Sequence, residues 1–356
     1  MERDAEALRF TCRFDEWPRW AATLALALIA LLVSYGLVAV PLRGPSIVPS
    51  RDSLVGDDAM YQRIILRVQA GENYYQAAAD EHRRSRYPLR PFVTVRPPAL
   101  AWCTVVLGGT HVASFVLSVL GIASSLLFWV RLSSARLPFW LKNGATLAAA
   151  LAISIPASQV VSHEAWSAVL IFIGILARTE RRWIASCVFC LCAVLVRDLM
   201  APVLGIMLLV AVYEQRRVEA TAWTISILFA AAYYVVHAYA VHAVTLPSDL
   251  SSEGWIATGG WRFVLLCMQD GTLFSALPNS VTAVSVPFAL VGWCAWKNPI
   301  GARVAIILCT YIVLFMVIGR TNNNYWGMLL APFVPVGLVF ALPSVKVLYG
   351  RAMHVN

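Results

Sequence analysis

The sequence predicts an all-α membrane protein, a single bundle of about ten spanning helices. Hydrophobic residues make up 60% of the 356 residues and charged residues 13%, whereas soluble proteins average about 25% charged. Mean hydropathy is +0.70, and the apolar residues fall in runs close to the ~20 residues that cross a bilayer. Basic residues occupy alternate loops between those runs. A soluble protein is therefore excluded, and the sequence shows no basic, aromatic-interleaved soluble segment that would bind nucleic acid.

The apolar runs define the predicted spans in chain order. They lie at residues 20–40, 111–130, 144–162, 165–177, 183–197, 199–213, 218–240, 280–296, 303–319 and 326–343. The short ones can be accommodated by tilting or by local thinning of the bilayer. Residues 1–19 mix four Arg with five acids, which is too polar for a signal peptide, so we expect a cytoplasmic tail before an uncleaved first span. The whole chain, 1–356, then forms one membrane domain.

The charges in the loops orient these spans. With the amino terminus inside, every inner loop carries basic residues, as the positive-inside rule requires. The inner basic residues are Arg131, Arg136, Lys142, Arg178, Arg181, Arg182, Arg216, Arg217, Lys297, Arg303, Lys346 and Arg351. We therefore expect a multi-pass protein with both termini in the cytoplasm, and the strong charge bias and compact size favour a bacterial inner membrane.

Two long segments are expected on the outer side, residues 41–98 and about 241–279. Residues 97–109 are apolar but too short to cross alone, and counting them as a span would invert every later loop. We expect a short helix that enters the outer leaflet and returns. Residues 263–277 form a second apolar stretch of the same kind.

The first outer segment contains a predicted interfacial helix with an acidic start. Within residues 60–68, apolar side chains recur every four residues, and Gly71 ends the pattern. Asp57 and Asp58 stand at the beginning of this helix. One reading is that an Asp caps the helix. The other is that one Asp is a general base, or holds a divalent cation against a phosphate. Because one Asp suffices for a cap and two are present, we favour a functional role for the other.

The end of the same segment is basic. Arg83, Arg84 and Arg86 fit a solvated loop that touches outer-leaflet lipid. Arg96 differs, because it leads into the short apolar segment with a rigid Pro97-Pro98 pair behind it. It is a candidate phosphate contact.

Two further polar pairs lie at predicted outer turns. Glu164 is a candidate second acid or metal ligand and His163 a candidate ligand of a sugar hydroxyl or phosphate, unless both simply face water in a tight turn. Arg197 and Asp198 are flanked by apolar residues, and Arg197 either binds a phosphate or forms an ion pair with another span. Neighbours on a helix do not face each other, so these two need not pair together.

The last polar outer turn combines Arg320, three consecutive Asn, Tyr325 and Trp326. These side chains offer hydrogen-bond donors, acceptors and stacking faces, which sugar hydroxyls and a phosphate require. Arg320, Asn324 and Tyr325 are the binding candidates here. The alternative is an ordinary polar loop with an interfacial Trp.

The order of features after the first span resembles the GT-C superfamily of membrane glycosyltransferases. The Asp57-Asp58 motif, the amphipathic helix, Gly71 and Tyr74-Tyr75 follow one another as they do in many members. The resemblance implies a GT-C-like helix bundle that takes a sugar from a polyprenyl-phosphate donor on the outer face. It also implies that an Asp deprotonates the acceptor hydroxyl, and we prefer Asp58 to Asp57 because it is nearer the amphipathic helix.

The resemblance also bounds the partners. The sequence shows no carboxy-terminal soluble domain and no Trp-Trp-Asp-type signature, so a glycan or lipid acceptor of the cell envelope is expected rather than a protein. Arg96, Arg197 or Arg320 would neutralise the leaving phosphate, and a divalent cation could assist without being required. The competing hypothesis is a lipid or solute transporter, which predicts charges or broken helices at mid-bilayer, whereas the charges here stop at the outer ends of the spans.

Overall fold

The computed structural model describes residues 10–39, 56–135 and 137–353, and within them the chain is all-helical with no strands. The first half comprises α1 (Arg19–Ala39), α2 (Asp57–Gln69), α3 (Tyr74–Arg84), α4 (Ala99–Val106), α5 (Thr110–Ser133), α6 (Phe139–Ala157) and α7 (His163–Ala177). The second comprises α8 (Ile184–Val196), α9 (Ala201–Tyr213), α10 (Arg217–Val244), α11 (Gly260–Gly271), α12 (Asn279–Ala295), α13 (Pro299–Val317) and α14 (Val334–Met353). Short 3₁₀ segments are Arg13–Glu16, Phe92–Thr94, Asp198–Met200, Leu273–Ala276 and Thr321–Leu330. The all-α prediction is confirmed.

Among the described residues, 5 helices are long and apolar enough to cross a membrane, namely α1, α5, α10, α13 and α14. Shorter apolar helices include α7, α8, α9 and α12. The chain therefore has the character of a membrane protein, and the count of ten spans stays a prediction. Predictions for residues 1–9, 40–55, 136 and 354–356 lie outside the described part of the chain.

The chain departs from the predicted spans near its carboxyl end. Instead of a span at 326–343, it forms the 3₁₀ segment Thr321–Leu330 and then α14, which continues to Met353. The segment packs so closely on α11 that a Cβ at Gly327 would overlap the Cys267 carbonyl, and a Cβ at Gly271 would overlap Met328. This contact holds the polar residues at 321–326 in a fixed place beside α11.

The two short apolar stretches that interrupted the predicted spans are both helical. Residues 97–109 contain α4, as expected for a short helix. Residues 263–277 contain most of α11 and the 3₁₀ segment Leu273–Ala276, and Phe263, Val264, Leu265 and Cys267 are all buried. The second stretch is thus part of the protein core.

The two ends of the described chain meet at one end of the bundle. Arg19 Nε donates a hydrogen bond to the Ala352 carbonyl at 2.9 Å, and Arg351 Nη2 donates to the Trp17 carbonyl at 2.8 Å. The start of α1 therefore lies beside the end of α14.

Helix α7 connects two charged clusters. At its carboxyl end, Arg178 forms ion pairs with Glu214 and Glu219, which come from the α9–α10 turn and the first turn of α10. At its amino end, 14 residues earlier, Glu164 lies among arginines of the candidate site. The candidate site and the Arg178 cluster therefore occupy opposite ends of α7.

Residues 57–84, the described part of the first long segment, fold into a hairpin of α2 and α3. Met60, Ile64 and Ile65 of α2 are buried, which confirms the predicted amphipathic helix. The capping prediction is wrong: Gly56 occupies the N-cap position, and Asp57 and Asp58 form the first turn without a side-chain cap bond. Their charge is still favourable there because it faces the positive end of the helix dipole.

Arg84 and Arg86 are exposed, as the solvated reading predicts, whereas Arg83 is partly buried and pairs with acids. Arg84 Nη1 lies 3.8 Å from Glu81, and Arg83 Nε lies 2.8 Å from the buried carboxylate of Asp249. Backbone bonds from Leu89 and Arg90 to Leu250 continue this contact. The second outer segment is thereby fixed across the first, and both reach the candidate site.

Candidate functional site

One cavity of about 450 Å³ collects charged residues from distant parts of the sequence. Of the predicted site residues, those lining it are Asp57, Arg96, Arg197, Asp198, Arg320 and Tyr325. Asp58, His163, Glu164 and Asn324 are not in the lining. The volume falls within the range of about 300–1,000 Å³ that is typical of small-molecule sites.

The acidic side of the cavity is formed by the start of α2. Asp57 lines the cavity and is hydrogen-bonded to Tyr87, and burial together with this bond raises the pKa of Tyr87. Beside it, desolvation and the negative charges of Asp57 and Glu164 raise the pKa of Asp58. A raised pKa makes a carboxylate a better proton acceptor at neutral pH.

Tyr87 reaches Asp57 because the chain reverses sharply after α3. Arg86 adopts a left-handed conformation with φ of 56°, and the Tyr87 N–H donates to the His82 carbonyl at 2.8 Å. This is a Schellman motif with an arginine where glycine is usual. The reversal brings Tyr87 and Pro88 back against the last turn of α3.

The cationic side is organised by Glu164. Its Oε1 lies 2.6 Å from Arg197 Nε and 3.4 Å from Arg96 Nη2, and all three side chains are buried. Ser162 caps α7 by accepting from the Ala165 N–H, which places Glu164 in the first turn where the helix dipole favours a negative charge. Glu164 thus lies behind the arginines, and the water-facing reading is wrong. His163 is also buried, with its ring against Tyr61 at 4.9 Å.

Arg197 and Asp198 pair with each other despite being neighbours in sequence. Their closest atoms, Nη1 and Oδ1, are 2.6 Å apart. The backbone at Arg197 is extended, with φ −144° and ψ 110°, because α8 has ended, so the rule against helix neighbours does not apply. Arg197 also pairs with Glu164 of another helix, so it both lines the cavity and links helices.

Arg96 is fixed from two sides. The Tyr74 hydroxyl donates to its carbonyl oxygen at 2.6 Å, and its own Nη2 donates to the Tyr325 hydroxyl at 2.9 Å. Because Tyr325 belongs to the 3₁₀ segment packed on α11, this bond connects the first outer segment with the last polar turn.

Arg320 lines the same cavity and is held by residues of the segment before α11. Its Nη2 donates to Ser252 Oγ at 3.1 Å, its Nη1 lies 3.4 Å from Glu253, and its guanidinium lies 5.9 Å from the centre of the Trp255 ring. Asn324 instead donates to Asp270 at 2.6 Å, outside the lining. Its neighbours Asn322 and Asn323 line the cavity in its place.

Several buried polar atoms in the cavity wall have no hydrogen-bond partner among the described residues. They are His82 Nε2, Thr94 Oγ1, Arg96 Nε, Arg320 Nε and Trp326 Nε1. Buried polar groups in native proteins are nearly always bonded to protein, ligand or ordered water, so these atoms are candidates for contact with a polar ligand. Arginine and indole N–H groups can only donate, so the atoms that satisfy them are acceptors, such as phosphate or water oxygens.

Sequence reasoning did not single out His82, Thr94 or Tyr87. His82 stands in a basic tract and looked solvent-facing, yet it is buried. The signal that could have identified it is its spacing from Tyr74 and Ala78, which puts all three on one face of α3.

Over residues 10–39, 56–135 and 137–353, no group of three or more His, Cys, Asp or Glu side chains is arranged to hold a metal ion. Neither a protein-family model, nor a curated protein, nor a solved structure matches the chain.

Proposed function

We propose that the protein is an integral-membrane glycosyltransferase of the GT-C type, which moves a sugar from a polyprenyl-phosphate donor to a glycan or lipid acceptor of the cell envelope. The observation that carries the proposal is a single cavity that holds Asp57 together with Arg96, Arg197 and Arg320. A carboxylate and several guanidinium groups around one small space are what proton removal and phosphate departure require. The proposal places the cavity on the extracytoplasmic face of a bacterial inner membrane, with both termini in the cytoplasm.

The proposed reaction is a single displacement that inverts the anomeric carbon. The acceptor hydroxyl oxygen attacks that carbon while its proton passes to an Asp carboxylate. The bond between the anomeric carbon and the phosphate oxygen breaks, and polyprenyl phosphate leaves with the electron pair. The arginines stabilise the negative charge that develops on the leaving oxygen.

We assign the base to the Asp57-Asp58 pair. Asp57 has the better position because it lines the cavity, and Asp58 has the raised pKa expected of a base. A volume of about 450 Å³ accommodates a sugar and its phosphate, so the prenyl chain would lie outside, against lipid. The proposed reaction needs no metal ion, and assays with EDTA or added Mn²⁺ test whether a divalent cation assists.

The test is transfer of radiolabelled sugar from a panel of polyprenyl-phosphate sugars to a membrane extract by the purified protein. Asp57→Asn is expected to lower the transfer rate at least about 100-fold, the usual contribution of a general base, and Asp58→Asn shows how the role is shared. Asp80→Asn is the matched control. Asp80 is on the same hairpin and pairs with Arg67 at 3.0 Å, but it does not line the cavity.

Two results would count against the proposal. Full transfer activity in both Asp57→Asn and Asp58→Asn would refute the assignment of the base. Absence of transfer by folded wild-type protein from every donor would refute the enzyme class, and translocation of fluorescent lipid in vesicles would then support a transporter.

A further inference from the structure

His82 lies in the cavity wall and has no part in the proposed displacement. It occupies the last turn of α3, is 2% exposed, and packs its ring against Tyr87 with centroids 6.1 Å apart. The hydrogen-bond partners of its two ring nitrogens therefore bear on what the cavity binds.

The surroundings fix the tautomer of this ring. His82 Nδ1 lies 3.0 Å from the carbonyl oxygen of Pro88. A carbonyl oxygen only accepts hydrogen bonds, so Nδ1 carries the proton and Nε2 presents a lone pair. Burial lowers the pKa of His82 to about 4, so the ring is neutral near pH 7. Nε2 is buried and has no partner among the described residues.

His82 Nε2 is a hydrogen-bond acceptor, whereas most of the other unpaired atoms in the cavity wall are donors. Arg96 Nε, Arg320 Nε and Trp326 Nε1 are donors, and the oxygens of a phosphate can satisfy them. A phosphodiester has no hydrogen to give at neutral pH, so it cannot satisfy Nε2. A ligand that satisfies all of these atoms therefore carries a neutral hydrogen-bond donor as well as an anion, and on a phosphosugar that donor is a hydroxyl.

We infer that His82 is a sugar-recognition residue whose Nε2 accepts a hydrogen bond from one hydroxyl group of the bound sugar. The inference rests on the proposed function for the identity of the ligand, and it adds a residue that reads the sugar rather than the phosphate. A site that bonds a substrate hydroxyl rejects analogues without it, since its own buried group is then left unpaired.

Two substitutions separate the ring nitrogens. In His82→Asn the side-chain N–H can still reach the Pro88 carbonyl, while the acceptor at Nε2 is lost. In His82→Gln the longer side chain can place an oxygen near the Nε2 position and keep the acceptor. His242→Asn is the control, since His242 is exposed and does not line the cavity.

The experiment measures binding and transfer separately. Probes are ten-carbon prenyl phosphosugars of mannose, glucose, galactose and arabinose, each with variants in which a single hydroxyl is replaced by fluorine, which cannot donate. Sugar-free prenyl phosphate serves as the reference ligand. Binding to the purified full-length protein is followed by tryptophan fluorescence, because Trp255 and Trp326 line the cavity.

Fluorination at one position is expected to weaken binding to the wild type and to His242→Asn about 10- to 100-fold, the effect of leaving a buried acceptor unpaired. His82→Asn should bind the parent phosphosugar about 10- to 100-fold more weakly than the wild type, and fluorination at that position should not weaken its binding further. His82→Gln should again bind the fluorinated probe more weakly than the parent. Binding of sugar-free prenyl phosphate should be unchanged in both.

The inference is overturned if binding to His82→Asn stays sensitive to the fluorination, or if no probe binds. It is also overturned if His82→Asn weakens binding of sugar-free prenyl phosphate as much as binding of the parent phosphosugar. Position-specific binding without transfer would support the inference while refuting the proposed enzyme. If the wild type transfers sugar and His82→Asn still discriminates between the parent and fluorinated sugars, the proposed enzyme would be supported and the inference about His82 refuted.

Discussion

Replacing Glu164 by glutamine tests whether the buried ion pairs hold the site together. The Glu164 side chain is 6% exposed, and it contacts Arg197 and Arg96, which are 3% and 9% exposed. Without the carboxylate, two buried guanidinium groups lose their common partner, and Asp198 remains as a partner of Arg197 alone. Removing one member of a buried ion pair costs about 3–5 kcal/mol, so we expect Glu164→Gln to lower the free energy of unfolding by that amount.

The assay is thermal unfolding of the purified protein in detergent. At roughly 2 °C per kcal/mol for a large chain, the melting temperature should fall by about 6–10 °C. Glu253→Gln is the matched control, since Glu253 pairs with Arg320 at 3.4 Å but is 88% exposed. An exposed pair contributes about 0–1 kcal/mol, so the control should melt within about 2 °C of the wild type. Equal melting temperatures for the two variants would refute the reasoning.

Three other predictions concern the fold around the site. Arg86→Gly should raise the free energy of unfolding by up to about 1 kcal/mol, since it relieves a left-handed arginine, and a lower melting temperature would contradict this. Gly327→Ala should lower the free energy of unfolding by about 1–3 kcal/mol, because the added Cβ overlaps the Cys267 carbonyl. Gly254→Ala, where the space is open, should leave the free energy of unfolding unchanged. Equal effects of the two substitutions would argue against the close packing. The folded pKa of His82, about 4, is below the unfolded value of about 6.5, so the unfolded state binds more protons between these values and stability is lost as pH falls through this window. At pH 5 the free energy of unfolding lost in this way is about 2 kcal/mol. Between pH 7.5 and pH 5 the melting temperature of His82→Gln should therefore fall less than that of the wild type.

The parts of this structure that depend on local pattern could be predicted from the sequence. Hydrophobic periodicity placed α2 and its end near Gly71, because a helix exposes a repeating face. Counting spans predicted that Asp57, Arg96 and Arg197 lie on the same side of the membrane, and these three residues do line one cavity. The position of charges relative to the apolar runs therefore indicated that the elements carrying these three residues meet.

Partner choice could not be predicted in the same way. Whether Glu164 faces water or two arginines depends on how α7 packs against elements 33 and 68 residues away, which no local pattern records. Asn324 and Asn322 are equivalent in sequence, and only the packing of the 3₁₀ segment on α11 decides that Asn322 lines the cavity. His82 was missed because its basic neighbours obscured the buried face of α3.

The acidic partners of the arginines bear on turnover in the proposed reaction. The donor is a phosphodiester with one negative charge, whereas the leaving polyprenyl phosphate is a monoester whose charge approaches that of a phosphorylated side chain, about −1.5 to −2. Unopposed arginines would bind this product more tightly than the donor and delay its release. Glu164 and Asp198 oppose Arg96 and Arg197 with equal and opposite charge, so the cluster holds its geometry without presenting a large excess of positive charge. The arginines then act mainly through donors aimed at the charge that develops during transfer, which is the form of binding that accelerates a reaction.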